Sequence, residues 1–184
     1  MCRLAGRSRR ICTRSATSSL STARTQPVVI TINRGYDDPQ YSRKLFIDGH
    51  PGETDPGKVL SISMRAGAKA VLAYAQRLIV VEPWPSLSFN PRDCLAGQKY
   101  DEQCRGHASR QLASETAIEA VAAQDSRVAT VDLDDAVCPY LPVCDPVIGG
   151  VITHIDNDHL TLAFAKALEP ALDKRLIAAS AYGP

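Results

Sequence analysis

Three short apolar runs alternate with three longer amphipathic stretches along this chain. The apolar runs cover residues 28–33, 78–81 and 128–133, and each is followed within two positions by glycine, proline or an acidic residue. Apolar residues recur at helical spacing over 58–76, 108–124 and 159–178. Strands that alternate with helices pair in parallel, because each helix carries the chain back across the sheet. The order predicts an α/β fold, a three-layer sandwich around a short parallel sheet.

Length and charge restrict the class of protein. A chain of 184 residues is long enough for one domain with a proper core and too short for two comfortable ones. The net charge of +1 favours neither nucleic acid nor a membrane surface, so we expect no nucleic-acid partner. No apolar run approaches the roughly 20 residues of a spanning helix.

The N-terminal segment differs from the rest in composition. Residues 1–26 contain six arginines and many serines and threonines, and the first acidic residue is Asp37. Such a composition is found in organelle transit peptides, but a disordered or artefactual leader explains it more simply. We therefore assign 1–26 to a leader, 27–178 to the folded domain and 179–184 to a tail.

Four of the six cysteines form two local pairs in irregular segments. Cys94 and Cys104 are ten positions apart, and Cys138 and Cys144 are six apart. Local pairs of this kind favour two loop-stapling disulfides and an oxidising compartment, although the chain shows no export signal. A single zinc site of four thiolates is the alternative, but neither pair has the short spacing of zinc knuckles.

The stretch directly before the last helical pattern carries the clearest chemistry. A carboxylate at Asp156, three residues before His159 on a turn, can accept a hydrogen bond from the imidazole Nδ1. The other ring nitrogen is then fixed as a base, as in a Ser-His-Asp apparatus. Asn33, Trp84 and this turn follow successive predicted strands, where ligands of parallel sheets bind.

Other interpretations of the same residues stay open. Asp158 could simply cap the last helix. His154, Asp156, Asp158 and His159 together could hold zinc or iron, but they crowd one short turn without helical ligand spacing. Trp84 is expected to pack over a loop, and Asp37-Asp38 and Asp134-Asp135 are expected to be solvated turn residues.

Three motifs resemble one branch of the SGNH hydrolases, namely the domain at the C-terminus of bacterial acyltransferase-3 membrane O-acyltransferases. They are the Asp-Asn-Asp-His-Leu-Thr block at 156–161, the Asp-Ala-Val-Cys-Pro block at 135–139 followed by Cys144, and Val-Val-Glu-Pro-Trp-Pro at 80–85. The resemblance covers residues 27–178. It implies an SGNH- or flavodoxin-like sheet and a location outside the cytoplasmic membrane, or associated with it. It also implies a carbohydrate or acyl-ester substrate, an acyltransferase membrane domain as partner, and no cofactor.

Carried over by position, the resemblance makes His159 the general base, Asp156 its orienter and Asn33 the oxyanion donor. The Gly-Asp-Ser block that supplies the family's nucleophile is absent. Gly6-Arg7-Ser8 has the spacing, but no buried strand precedes it and arginine replaces the aspartate. We expect a domain that lacks the family's first strands, with its sheet open beside residues 28–33.

Two functions from different classes follow. The first is an SGNH-type acyl-ester hydrolase or O-acyltransferase domain, truncated and impaired because its serine block is missing. The second is a non-catalytic module of the same fold that binds glycan or a partner protein.

Overall fold

The computed structural model of the chain describes residues 26–32, 53, 55–110 and 112–181. Within them the strands are β1 (Gln26–Ile32), β2 (Ala75–Val81), β3 (Ser86–Leu87), β4 (Gly106–Ser109), β5 (Val128–Val131), β6 (Val143–Cys144), β7 (Val147–Ile148) and β8 (Val151–Ile152). The helices are α1 (Pro56–Leu72), α2 (Pro91–Gly97), α3 (Leu112–Ala122), α4 (Asp134–Val137), α5 (Leu162–Ala167) and α6 (Glu169–Ala178).

The three predicted strands form one parallel sheet in the order β1-β2-β5. β2 lies in the middle and is the most buried strand, and its Ile79 is 0% exposed. β1 is the outer strand on one side. Ile30 and Ile32 on that strand lie opposite Ile79 and Val81 in register but remain largely exposed. In the described part of the chain no further strand pairs with the outer side of β1, as predicted for the open edge beside 28–33.

Helices cover both faces of this sheet. α1 and α3 pack on one face, where Ala68, Ile118 and Val121 join Leu78 and Val80 in a buried cluster. The α1 helix begins at Pro56 because Asp55 caps it by accepting the backbone N–H of Lys58 at 2.9 Å.

α5 and α6 cover the opposite face. Phe164, Leu168 and Leu176 pack there against the side chains of Ile79, Val81 and Val131. The predicted three-layer α/β sandwich is confirmed, because apolar residues on both faces of β2 require a layer on each side.

The remaining strands are short and lie outside the parallel sheet. β3, β4 and β6 form a small antiparallel sheet, and β7 and β8 form a hairpin. In the turn between β7 and β8, Gly149 and Gly150 have φ of 60° and 78°, which only glycine adopts without strain. Both predicted disulfides are formed, so these four cysteines are not thiolate ligands of a zinc ion.

Three predicted helix boundaries were wrong. Residues 75 and 76 belong to β2, because parallel pairing with β1 begins at Ala75. Residues 108 and 109 belong to β4, which β3 pairs, and α3 begins at Leu112. The last helix begins at Leu162 rather than 159 and is divided at Leu168, since Pro170 cannot donate a backbone hydrogen bond to the preceding turn. No helix in the described ranges is long and apolar enough to span a membrane.

Candidate active site

The turn after β8 holds an imidazole against a carboxylate. Nδ1 of His159 lies 3.0 Å from Oδ2 and 3.1 Å from Oδ1 of Asp156. Oδ1 also accepts the backbone N–H groups of Asp158 at 3.0 Å and His159 at 2.8 Å. The three-residue spacing brings the two side chains together because the carboxylate folds the backbone between them.

These donors determine the charge of Asp156. Partial burial alone would raise its pKa, but the backbone donors of Asp158 and His159 and the imidazole outweigh burial and lower the pKa to about 2. Asp156 is therefore an anion at neutral pH and can hold the proton of Nδ1.

Asp158 is a second carboxylate partner that the sequence did not reveal. Its Oδ1 lies 2.9 Å from Nδ1 of His159. The interpretation of Asp158 as a helix cap was wrong: Thr161 caps α5, and its Oγ1 accepts the N–H of Phe164 at 3.0 Å. The presence of an aspartate directly before the histidine was the available signal.

Two distant segments fix the position of this turn. Nε1 of Trp84 donates to the carbonyl oxygen of Asp158 at 2.7 Å across 74 positions of sequence. The N–H of Leu87 in β3 donates to the carbonyl of Asn157 at 2.7 Å. Trp84 thus packs against the core, and its indole N–H holds the turn that carries His159.

His159 lines an open apolar groove with a volume of about 770 Å³. One wall is formed by residues 30–32 of β1, and the other by side chains of α5 and α6, including Ala165 and Leu172. Ten of the twelve lining residues are apolar, the exceptions being Thr31 and His159. No serine is among the described lining residues, so the described groove presents the imidazole of His159 without a serine hydroxyl.

Asn33, the predicted oxyanion donor, lies outside the described residues, and so does Ser8 of the incomplete Gly-Arg-Ser match. The role of Asn33 therefore remains a prediction from sequence, as does the absence of an identifiable nucleophile.

Of the four residues that could together hold a metal ion, three lie close to one another in the structure. The ligand atoms of Asp156, Asp158 and His159 lie within 4.8 Å of one another, but His154 is not among them. His154 is fully buried, with Nδ1 2.9 Å from Oγ1 of Thr153. Burial lowers the pKa of His154 to about 4, so this imidazole is neutral and belongs to the core.

The expectation that Asp134 is a solvated turn residue was wrong. Asp134 is buried, and its Oδ2 lies 2.9 Å from Nε of Arg110. The neighbouring Asp135 is exposed and forms an ion pair with Arg175. Two successive aspartates after a strand do not indicate which of their side chains will be buried when α4 forms.

Comparison with known families agrees with the fold. The family model of the SGNH domain (fused to AT3 domains) matches residues 4–174. The match begins inside the segment 1–26, whose assignment as a leader stays a prediction. No curated protein and no solved structure matches the chain.

Proposed function

Because the chain belongs to the family of SGNH domains that are fused to AT3 domains, we propose that it cleaves or transfers acyl groups on cell-envelope carbohydrates. The contact of 3.0 Å between Nδ1 of His159 and Oδ2 of Asp156 carries this proposal. A fixed Nδ1 proton leaves Nε2 as the base, which is the role a histidine plays in acyl transfer by serine enzymes.

In the proposed mechanism His159 acts first as base and then as acid. Nε2 accepts the proton of a hydroxyl as its oxygen attacks the acyl carbonyl, and the imidazolium returns the proton to the leaving alkoxide. Asp156 stabilises the imidazolium that exists between the two steps. Asn33 would stabilise the oxyanion, and one such donor is worth about 3 kcal/mol of transition-state stabilisation.

The nucleophile is proposed to come from outside the described groove. A serine from another segment or chain, or the acceptor hydroxyl itself, would stand in front of His159. Members of such an apparatus act as a unit, so we expect the chain alone to be impaired. An acyltransferase membrane domain is the proposed partner, and the location is proposed to be extracytoplasmic, consistent with the two disulfides.

Hydrolysis of p-nitrophenyl acetate tests the proposal. We expect His159→Ala to reduce the rate to background. Asp156→Asn is expected to lower the part of the rate that exceeds background toward the His159→Ala value, because an amide no longer selects the required tautomer. We expect Asp158→Asn to cost less than about tenfold, since Asp156 still holds Nδ1. His107→Ala, which removes an exposed histidine of β4, is the matched control and should keep the wild-type rate.

The second candidate function is a non-catalytic module that binds glycan or a partner protein. The absence of serine from the described groove lining favours it. Equal, near-background rates for wild type and His159→Ala would support this candidate. Stoichiometric labelling of a serine in the chain by a fluorophosphonate probe would contradict it.

A further inference from the structure

The groove beside His159 is a much larger apolar space than an acetyl ester needs. Its volume of about 770 Å³ lies within the range of about 300–1,000 Å³ that is typical of pockets for drug-sized ligands. An acetyl group contributes one methyl to such a space and would leave most of its apolar wall in contact with water.

The groove is apolar from its floor to its rim. Leu133, Leu168 and Leu176 form part of the floor and are themselves members of the buried core. Ile30 and Ile32 form part of the rim, and they are 47% and 64% exposed. An apolar ligand that covers these exposed isoleucines removes their side chains from water, which makes the free energy of binding more favourable.

The chemistry of the lining separates two kinds of ligand. A sugar ring requires several hydrogen-bonding partners, whereas Thr31 and His159 are the only polar residues of the described lining. A hydrocarbon chain requires none. The sugar of the substrate therefore fits poorly within the groove, and the acyl part fits well.

We propose that this groove binds the acyl chain of the substrate, and that the chain is of octanoyl length or longer. The inference deepens the proposed function, since the groove continues from the residue that would act on the ester carbonyl. With that carbonyl beside His159, the hydrocarbon would extend between β1 and the α5–α6 wall.

The single tryptophan offers a direct assay that does not depend on catalysis. Trp84 lines the groove and is the only tryptophan of the chain, so its fluorescence reports on the occupant. The probes are N-acetyl-, N-octanoyl- and N-decanoyl-N-methylglucamide, used below micelle formation. They share one polar head and carry an amide that an esterase does not cleave.

We expect a saturable change in Trp84 fluorescence with the octanoyl and decanoyl probes and no change with the acetyl probe. Affinity should increase by about fourfold for each added methylene, the value for transfer of a CH₂ group out of water. Ile32→Gln should weaken decanoyl binding at least about threefold, because it places an amide on the groove wall. Ile177→Gln is the matched control, since Ile177 is 59% exposed and does not line the groove; its binding should equal wild type.

Several outcomes would overturn the inference. They are no fluorescence change with any probe, an affinity independent of chain length, and equal weakening by Ile32→Gln and Ile177→Gln. Light scattering offers one further test. A dimer that Ile32→Gln dissociates but that the decanoyl probe leaves intact would also overturn the inference, because a second copy of the chain would then occupy the groove. The amide probes bind without being cleaved, so the fluorescence readout does not depend on catalysis. A failure of the proposed catalysis therefore remains distinguishable from a failure of this inference.

Discussion

One arginine is shared between two buried carboxylates. Nη2 of Arg110 lies 2.7 Å from Oε2 of Glu115, and its Nε lies 2.9 Å from Oδ2 of Asp134. Burial raises the pKa of Asp134 to about 7, and the charges of Asp132, Glu115 and Glu82 add to this effect, whereas Arg110 opposes it. At neutral pH the folded protein therefore holds a carboxyl group that resists ionisation.

This residue makes stability depend on pH in a defined direction. Between pH 3.8 and about 7 the folded state keeps a proton on Asp134 that the unfolded state has released. The contribution of Asp134 to stability therefore falls as pH rises through this window, by at most about 4 kcal/mol, and changes no further above it. The buried neutral His154 acts in the opposite direction between its lowered pKa of about 4 and its ordinary value of 6.5. We expect Asp134→Asn to remove this loss, as measured by urea unfolding between pH 4 and 8.

The adjacent aspartate provides the control for this prediction. The side chain of Asp135 is 76% exposed, so Asp135→Asn makes the same change from carboxylate to amide at an exposed neighbouring position. A pH profile of Asp134→Asn with the same shape as that of Asp135→Asn would show that Asp134 is ionised throughout in the folded state.

At the scale of elements, one of the two disulfides belongs to the buried cluster that lies next to the turn of the candidate active site. Cys138 and Cys144 tie the end of α4 to β6 and pack in a buried cluster with Leu87. Leu87 donates to the carbonyl of Asn157 in the turn that carries His159. The Cys94–Cys104 disulfide instead joins α2 to the short 3₁₀ turn Asp101–Cys104.

Removal of each disulfide should consequently have different local effects. We expect the pair Cys138→Ala and Cys144→Ala to cost roughly 2–3 kcal/mol of stability, and the pair Cys94→Ala and Cys104→Ala a similar amount, from loop entropy. Only the first pair should lower hydrogen-exchange protection of the Leu87 amide beyond the global loss. Equal changes at Leu87 in both variants would show that the turn does not depend on the cluster.

At the scale of the whole molecule, burial among the described residues is greatest in the middle of the sheet and declines toward β1. Ile79 is 0% exposed between two helical layers, whereas Ile32, one strand away, is 64% exposed. We expect Ile79→Ala to cost about 3–5 kcal/mol and Ile32→Ala less than about 1 kcal/mol in urea unfolding. A similar cost for both would mean that the β1 face is covered in solution.

Much of this architecture could be predicted from the sequence. The apolar runs predicted as strands at 78–81 and 128–133 form β2 and β5, because residues apolar on both faces require two covering layers, although β5 ends at Val131 and not at residue 133. The contact between Asp156 and His159 was also predictable, since a carboxylate can fold a three-residue turn onto itself. The division at Leu168 was missed because apolar spacing continues through Pro170, although proline in a helical pattern was a visible signal.

Sequence alone determined what depends on neighbours along the chain: the alternation of strand and helix, the two short disulfide loops and the Asp156–His159 pair. Tertiary structure alone decided which distant groups meet that pair. Trp84 reaches Asp158 across 74 positions, and β1 brings Ile30 and Ile32 to the groove that His159 lines. It also decided that Asp134 is buried while Asp135 is exposed. The physical reason is that hydrogen bonding and periodicity within a turn are local, whereas burial depends on which surfaces the completed sheet and its helices leave uncovered.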